Sequence, residues 1–292
     1  MSAPGVYLES PAPHISSGDS VAKRFWLKSA ALLPVLVVVL GTSGAGFLKV
    51  LTVSVLGVAG FEWLNAGFFR KKSSLQNGDA ILTGVTLAVL LPSHCPALLV
   101  LVATFVAALV IKECFGGLGG RLFQPAVFAR VFLDLTFAGG IKSPELFQYA
   151  GEPIFLSAIL LSAFLLAIQK KIYFETPLYF VGAMILGAWV TGGQDLLRVA
   201  GIAVFAGYFL ITDTVTLPLT RRGTNWFAIL AACLGVCLGM KYSTVTAICY
   251  AILMMNAAVP WIDHWVRPRR YASNTGEMPG SFGARSGLGN KR

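Results

Sequence analysis

Asn77-Gly-Asp-Ala-Ile-Leu-Thr-Gly-Val-Thr-Leu-Ala-Val-Leu-Leu-Pro92 is followed, after Ser93, His94 and Cys95, by the apolar run Pro96 to Ile111. The loop Lys112-Glu-Cys-Phe-Gly-Gly-Leu-Gly-Gly-Arg-Leu-Phe-Gln-Pro-Ala126 comes next. The first apolar piece, Ile81 to Leu91, lies between a Gly-Asp start and a Pro stop. At about 1.5 Å per helical residue it spans only about half of a hydrocarbon core of roughly 30 Å. A helix that stops at that depth leaves N–H and C=O groups that lipid cannot satisfy, so broken segments belong against protein or a cavity. The stretch 77–126 therefore marks a site within a membrane bundle.

The rest of the chain has the composition that this reading needs. Of 292 residues, 56% are apolar and only 12% charged, with a mean hydropathy of +0.73. That is far from a soluble average and defines a polytopic membrane protein. The formal charge of +10 comes from small basic groups between apolar runs, a pattern that suits orientation at an anionic lipid surface and excludes nucleic-acid binding. Cys95, Cys114, Cys233, Cys237 and Cys249 contain no Cys-x-x-Cys pair, which argues against a disulfide framework or a zinc site. Cys233 and Cys237 share a helix face and are expected to pack in the core. His14, His94 and His264 are too scattered for a metal or haem pair. The polar residues before Phe25 include no apolar stretch of the kind an export signal needs.

Apolar runs fall at about 25–42, 44–69, 80–91, 96–112, 124–139, 153–169, 173–190, 197–211, 225–240 and 246–265. The expected fold is all-α: about ten transmembrane helices in two inverted five-helix halves with broken half-helices. The expected boundaries are a cytoplasmic segment 1–24, halves at 25–139 and 153–266, an outer loop 140–152 and a disordered basic cytoplasmic tail 267–292. With both termini cytoplasmic, nineteen basic residues lie on that side and Lys49, Lys142, Arg198 and Lys241 on the other. A short internal match pairs Gly84-Val-Thr-Leu-Ala88 with Thr214-Val-Thr-Leu-Pro218, each near an acid, Asp79 and Asp213. Five spans per half would invert the second copy and place a site between the two.

The chemistry open to such a site is limited. No span holds paired carboxylates, and there is neither a Ser-His-Asp set nor a phosphate-binding G-x-x-x-x-G-K-[ST], so hydrolysis and phosphoryl transfer lack their parts. Thr83 and Thr86 suit back-bonding to helix carbonyls, Gly116 to Gly120 suit a tight turn, and Lys112 at a span end suits snorkelling. The sharper reading takes the Gly-rich backbone with Lys112, Arg121 and Arg130 as a place for an anionic or polar planar ligand.

On these residues the chain resembles the D subunit of the Rnf electron-transport complex, a family related to the B subunit of the Na+-translocating NADH:quinone oxidoreductase. Asn77 to Pro92 follows that family's D-G-S-A-x-x-T-G-x-L-L-A-x-x-L-P, with Asn77 and Asp79 as departures. Lys112 to Ala126 follows K-x-x-F-G-G-L-G-x-N-x-F-N-P-A, with Arg121 and Gln124 in place of two asparagines. Thr212-Asp-Thr-Val-Thr-Leu-Pro218 is similar to T-D-P-V-T-S-P. Pro13-His14-Ile15, Leu253 to Asp263 and Arg267-Pro-Arg269 extend the likeness over nearly the whole chain.

The resemblance implies a multi-pass subunit of the bacterial cytoplasmic (inner) membrane. It would serve a complex that passes electrons from ferredoxin or NADH, coupled to Na+ or H+ transport. Its implied partners are other Rnf-type membrane subunits, a flavin-carrying subunit, iron–sulfur subunits and membrane lipid. The implied cofactor is flavin, FMN or riboflavin. The family joins FMN to a Thr in D-x-x-S-G-A-T after the fifth span, and that sequence is missing here; Thr42-Ser-Gly-Ala-Gly46 imitates it but reads as a turn between spans. Flavin is therefore expected to be non-covalent, with no covalent attachment residue, no metal site and no residue catalytic by itself. The expected cofactor-binding set is Thr83, Gly84, Thr86, Lys112, Gly116, Gly117, Gly119, Gln124, Arg130, Asp213, Thr214 and Thr216. The alternative function is a channel or carrier for a small polar solute, since broken helices between two inverted halves also suit a pore.

Overall fold

The structure is a computed structural model that describes residues 20–69, 77–117, 119–137, 143–169, 174–192, 195–213 and 215–266. Among the described residues every regular element is helical. The elements are α1 (Val21–Ala31), α2 (Leu33–Phe69), α3 (Asp79–Leu90), α4 (Ala97–Phe105), α5 (Pro125–Thr136), α6 (Glu145–Gln148), α7 (Pro153–Ile168), α8 (Glu175–Thr191), α9 (Leu196–Phe205), α10 (Arg221–Gly239) and α11 (Thr244–Val266). Two of them run on as π-helix, α4 through Val106–Glu113 and α9 through Ala206–Ile211. The apolar runs of the sequence correspond to these helices. The segment 1–19, Arg70 to Lys72, Thr214, part of the outer loop and the tail 267–292 lie outside the described residues.

Local chemistry explains the boundaries. Ser20, Asp195 and Thr220 cap α1, α9 and α10 through side-chain oxygens that accept from the Lys23, Leu197 and Gly223 amides. Pro125 and Pro153 open α5 and α7 at positions where a missing N–H costs nothing. The expected turn at Thr42 to Gly46 is a single break inside α2, where Gly44 adopts φ 57° and ψ −137°. Only glycine takes that conformation cheaply, so the first two spans meet there almost without a loop.

The outer surface is apolar. Leu56, Trp63, Phe68, Leu98, Phe164, Trp189 and Trp261 are exposed, as expected where lipid takes the place of water. Three helical stretches, Val21–Phe68, Arg221–Gly239 and Thr244–Val266, are each long and apolar enough to cross a membrane, and shorter apolar helices fill the space between them. α3 is one of these: its 12 residues reach only about 18 Å, and all except Ile81 are buried. The broken helix is thus shielded by protein, as its length requires.

Helices approach closely where one carries glycine. A Cβ on Gly84 would lie 2.7 Å from the Val55 Cα, and one on Gly57 2.6 Å from the Thr104 Oγ1. These contacts set α3 and α4 against α2. The packing order recurs later in the chain: α8 packs on α9 and α10 as α2 does on α3 and α4, α7 meets α9 as α1 meets α3, and α1 touches α7 as α5 touches α11. The short sequence match does not follow this recurrence, because Gly84–Ala88 is helical whereas Thr216 to Pro218 lies in a turn. Cys233 and Cys237 also depart from expectation. Both are exposed on the outward side of α10, where a small apolar thiol suits lipid as well as a core would.

Candidate functional site

Six charged side chains meet inside the bundle. Arg121, from the loop after the first π-helix, forks between two carboxylates. Its Nη1 donates to the Asp79 oxygens at 2.9 and 3.2 Å, and its Nη2 to those of Asp213 at 3.1 and 3.2 Å. Lys112, on the last turn of that π-helix, pairs with both Glu62 of α2 and Asp79 of α3. Lys28, near the end of α1, donates to the Thr212 carbonyl at 3.1 Å. All six are buried. Three carboxylates (Glu62, Asp79, Asp213) therefore balance three cations (Lys28, Lys112, Arg121).

Each element places its residue for a reason. Asp79 opens α3, where the unpaired N–H groups of a helix start favour a negative charge. Gly78 just before it holds φ 74°. Lys112 is the penultimate residue of the first π-helix and Thr212-Asp213 directly follow the second, so the end of each shifted register delivers residues to the cluster. Arg121 is the residue type that can hold two carboxylates at once, because its planar fork presents parallel N–H pairs. The Phe25 ring lies 6.0 Å from the guanidinium centre, at the outer limit for a cation–π contact. Taking such charges out of water costs several kcal/mol each, and only near-complete pairing offsets this.

Beside the cluster is a cavity of about 20 Å³, lined by Lys28, Asp79, Leu82, Thr83, Thr86, Arg121, Gln124, Pro125, Ala126, Phe209 and Asp213. Of the expected site residues, Thr83, Thr86, Gln124 and Asp213 come together here, and Lys112 joins through Asp79. Gly84 does not face this cavity; it packs against the α2 backbone. Gly116 and Gly117 have φ of 101° and 85° and form an open turn, and Gly119 meets nothing nearby. Arg130 is fully buried elsewhere in α5, where its Nη2 bonds Asp134 at 3.2 Å. Thr216 is buried but off the cavity, and Thr214 lies outside the described residues. Lys112 does not snorkel: it is 1% exposed and paired twice.

No span holds paired carboxylates in the sequence, yet folding brings Asp79 and Asp213, 134 positions apart, to flank one guanidinium. With Arg121 between them they are not an acid–base pair. The cofactor-binding set drawn from sequence lacked Lys28, Glu62, Asp79 and Arg121, although Arg121 reads with Lys112 and Arg130 as a place for an anionic ligand. The available signal was their charge: Glu62 is the one acid in the apolar run 44–69, and an ionisable residue within a span marks function by default.

A flavin ring does not fit the cavity between Thr83 and Asp213, which is the size of one water. A second cavity, of about 540 Å³, lies between α2 and the first π-helix and is lined by Phe61, Leu64, Asn65, Phe68, Leu109, Glu113 and Cys114. That volume is in the range of small-molecule sites.

The fold and site define a multi-pass helical membrane protein built around a buried, charge-balanced cluster. The chain belongs to the NQR2, RnfD, RnfE family, whose pattern matches residues 8–146 and 146–272. It is similar to the D subunit of the ion-translocating oxidoreductase complex of Methanosarcina acetivorans, at 30% identity over 89% of this chain and 95% of that one. It is also similar to the D subunit of the proton-translocating ferredoxin:NAD(+) oxidoreductase complex of Clostridium ljungdahlii, at 26% identity over 92% and 97%. The D subunit of the Na(+)-translocating ferredoxin:NAD(+) oxidoreductase complex of Acetobacterium woodii matches at 25% identity over 90% and 94%.

Proposed function

We propose that this chain is the D-type membrane subunit of an Rnf-type ion-translocating oxidoreductase complex. In that role it serves electron transfer from ferredoxin or NADH coupled to Na+ or H+ movement. The observation that carries the reading is the family match across both stretches of the chain, together with relatives matched over 94% or more of their length. The site is consistent with it. The cavity beside the cluster has room for about one water, and the three cations there are balanced by three carboxylates, which suits a complex subunit better than a channel or carrier.

The finer parts rest on the sequence. The basic-residue distribution supports cytoplasmic termini in a bacterial inner membrane, and the repeated packing order supports halves at 25–139 and 153–266. The partners are other Rnf-type membrane subunits, a flavin-carrying subunit and iron–sulfur subunits. A non-covalent flavin on this chain has room between α2 and the first π-helix, and not between Thr83 and Asp213 unless the Arg121 fork opens.

Affinity purification from the native membrane tests the proposal. Recovery of flavin and iron–sulfur companions is the expected result. A colourless chain without companions that conducts a small polar solute in liposomes would overturn it. The same preparation on a denaturing gel under ultraviolet light should show no fluorescent band at the chain's 31.1 kDa, because the family's attachment sequence is missing.

A further inference from the structure

Lys28, Arg121 and Gln124 all line the cavity of about 20 Å³, and each carries a polar group that the protein leaves unmatched. Gln124 is 7% exposed and its Oε1 accepts no hydrogen bond. The Nε–H of Arg121 donates to nothing, although both Nη atoms are engaged. Among the described residues Lys28 donates once, to the Thr212 carbonyl, so two of its three N–H groups remain. Other charges close to Lys28 are Asp79 from α3 and Asp213 from the loop after α9.

These atoms specify their occupant. It must accept from N–H groups of two cations and donate to an amide oxygen. An alkali cation can accept nothing and would sit against Lys28 and Arg121. A halide can donate nothing and would sit between Asp79 and Asp213. Water does both, makes about three bonds when buried, and needs no more than about 10–15 Å³. We propose that Lys28, Arg121 and Gln124 hold one structural water in the cavity beside the cluster, and that the site rejects Na+. Any sodium carried by a complex containing this chain is then bound elsewhere. The water site does not depend on the complex: it belongs to this chain alone or assembled.

The test is a cryo-electron microscopy map of the purified protein, with its companions or without, fine enough to show waters and recorded in sodium and in choline buffer. One peak is expected in both, within about 2.7–3.2 Å of Lys28 Nζ, Arg121 Nε and Gln124 Oε1. It should vanish in Gln124→Met, whose thioether fills the space without that acceptor. A peak present only with sodium and touching the Asp79 and Asp213 carboxylates would overturn the proposal. So would an empty cavity in both buffers. Absence of companions bears only on the proposed function, whereas the peak decides the water site.

Discussion

The helix stretches α1–α5 and α7–α11 share several packing contacts but bury different chemistry. The first buries Lys28, Glu62, Asp79, Lys112, Arg121 and Arg130. Among the described residues of the second, the buried polar groups are Ser162, Thr176, Thr212, Thr216, Thr224 and Asn256, and the one buried charge is Asp213. Similar packing therefore does not entail similar chemistry. The first stretch builds the cluster, and the second closes it with one carboxylate and one carbonyl, from adjacent residues Asp213 and Thr212. The asymmetry is spread over α1, α2, α3, the first π-helix, the loop after it and α5, which carry those six charges. The loop after the first π-helix returns Arg121 into the bundle, whereas among the described residues the loop after the second supplies Asp213 as its buried charge.

Breaking the bridge between the stretches should have the largest effect. Arg121→Leu leaves Asp79 with Lys112 alone and removes the guanidinium that Asp213 binds. The expected loss is about 3–5 kcal/mol, seen as a large fall in thermal midpoint and in recovery of the protein from detergent. Retention of wild-type stability would show that the two stretches are joined by apolar packing alone.

A smaller loss is expected from a change inside the first stretch that touches no charge. Gly84→Ala places a Cβ 2.7 Å from the Val55 Cα, and since backbone cannot move aside as a side-chain tip can, α3 must shift at a cost of about 1–3 kcal/mol. Thermal unfolding in detergent measures it. The effect should be on stability and not on cofactor content, because Gly84 faces α2 and not the cavity.

The spans were legible in the sequence because apolar runs ending at Gly and Pro carry their own boundaries. Asp79 to Leu90 is an example: its Gly-Asp start and Pro stop are the observed ends to within two residues. The cluster was not legible. Glu62, Asp79, Arg121 and Asp213 are joined by packing between distant segments, and no local pattern shows that Lys112 turns inward to Glu62. The π-helices likewise have no sequence signature, and they arise where the register must shift to bring Lys112 and Asp213 into place. The two motif departures at Asp79 and Arg121 look independent along the chain, yet in space they are one ion pair.

The smallest effect is expected at the surface of the second stretch. Arg221 and Glu175 form an ion pair in which both side chains are largely exposed. Water and salt screen such a pair. Arg221→Ala should leave the thermal midpoint unchanged within error at moderate salt. A clear loss there would blur the contrast between the buried cluster and the rim.

Asp79 and Arg121 act as one unit, so changing both should be less harmful than changing Arg121 alone. The direct measurement is a double-mutant cycle of thermal stability in detergent on Asp79→Ser, Arg121→Asn and the pair together. Partners in one buried network couple by about 0.5–3 kcal/mol. The double variant is expected to be more stable than Arg121→Asn, because it no longer buries the second of two carboxylates beside a missing guanidinium. Simple addition of the two single losses would contradict a buried network centred on this pair.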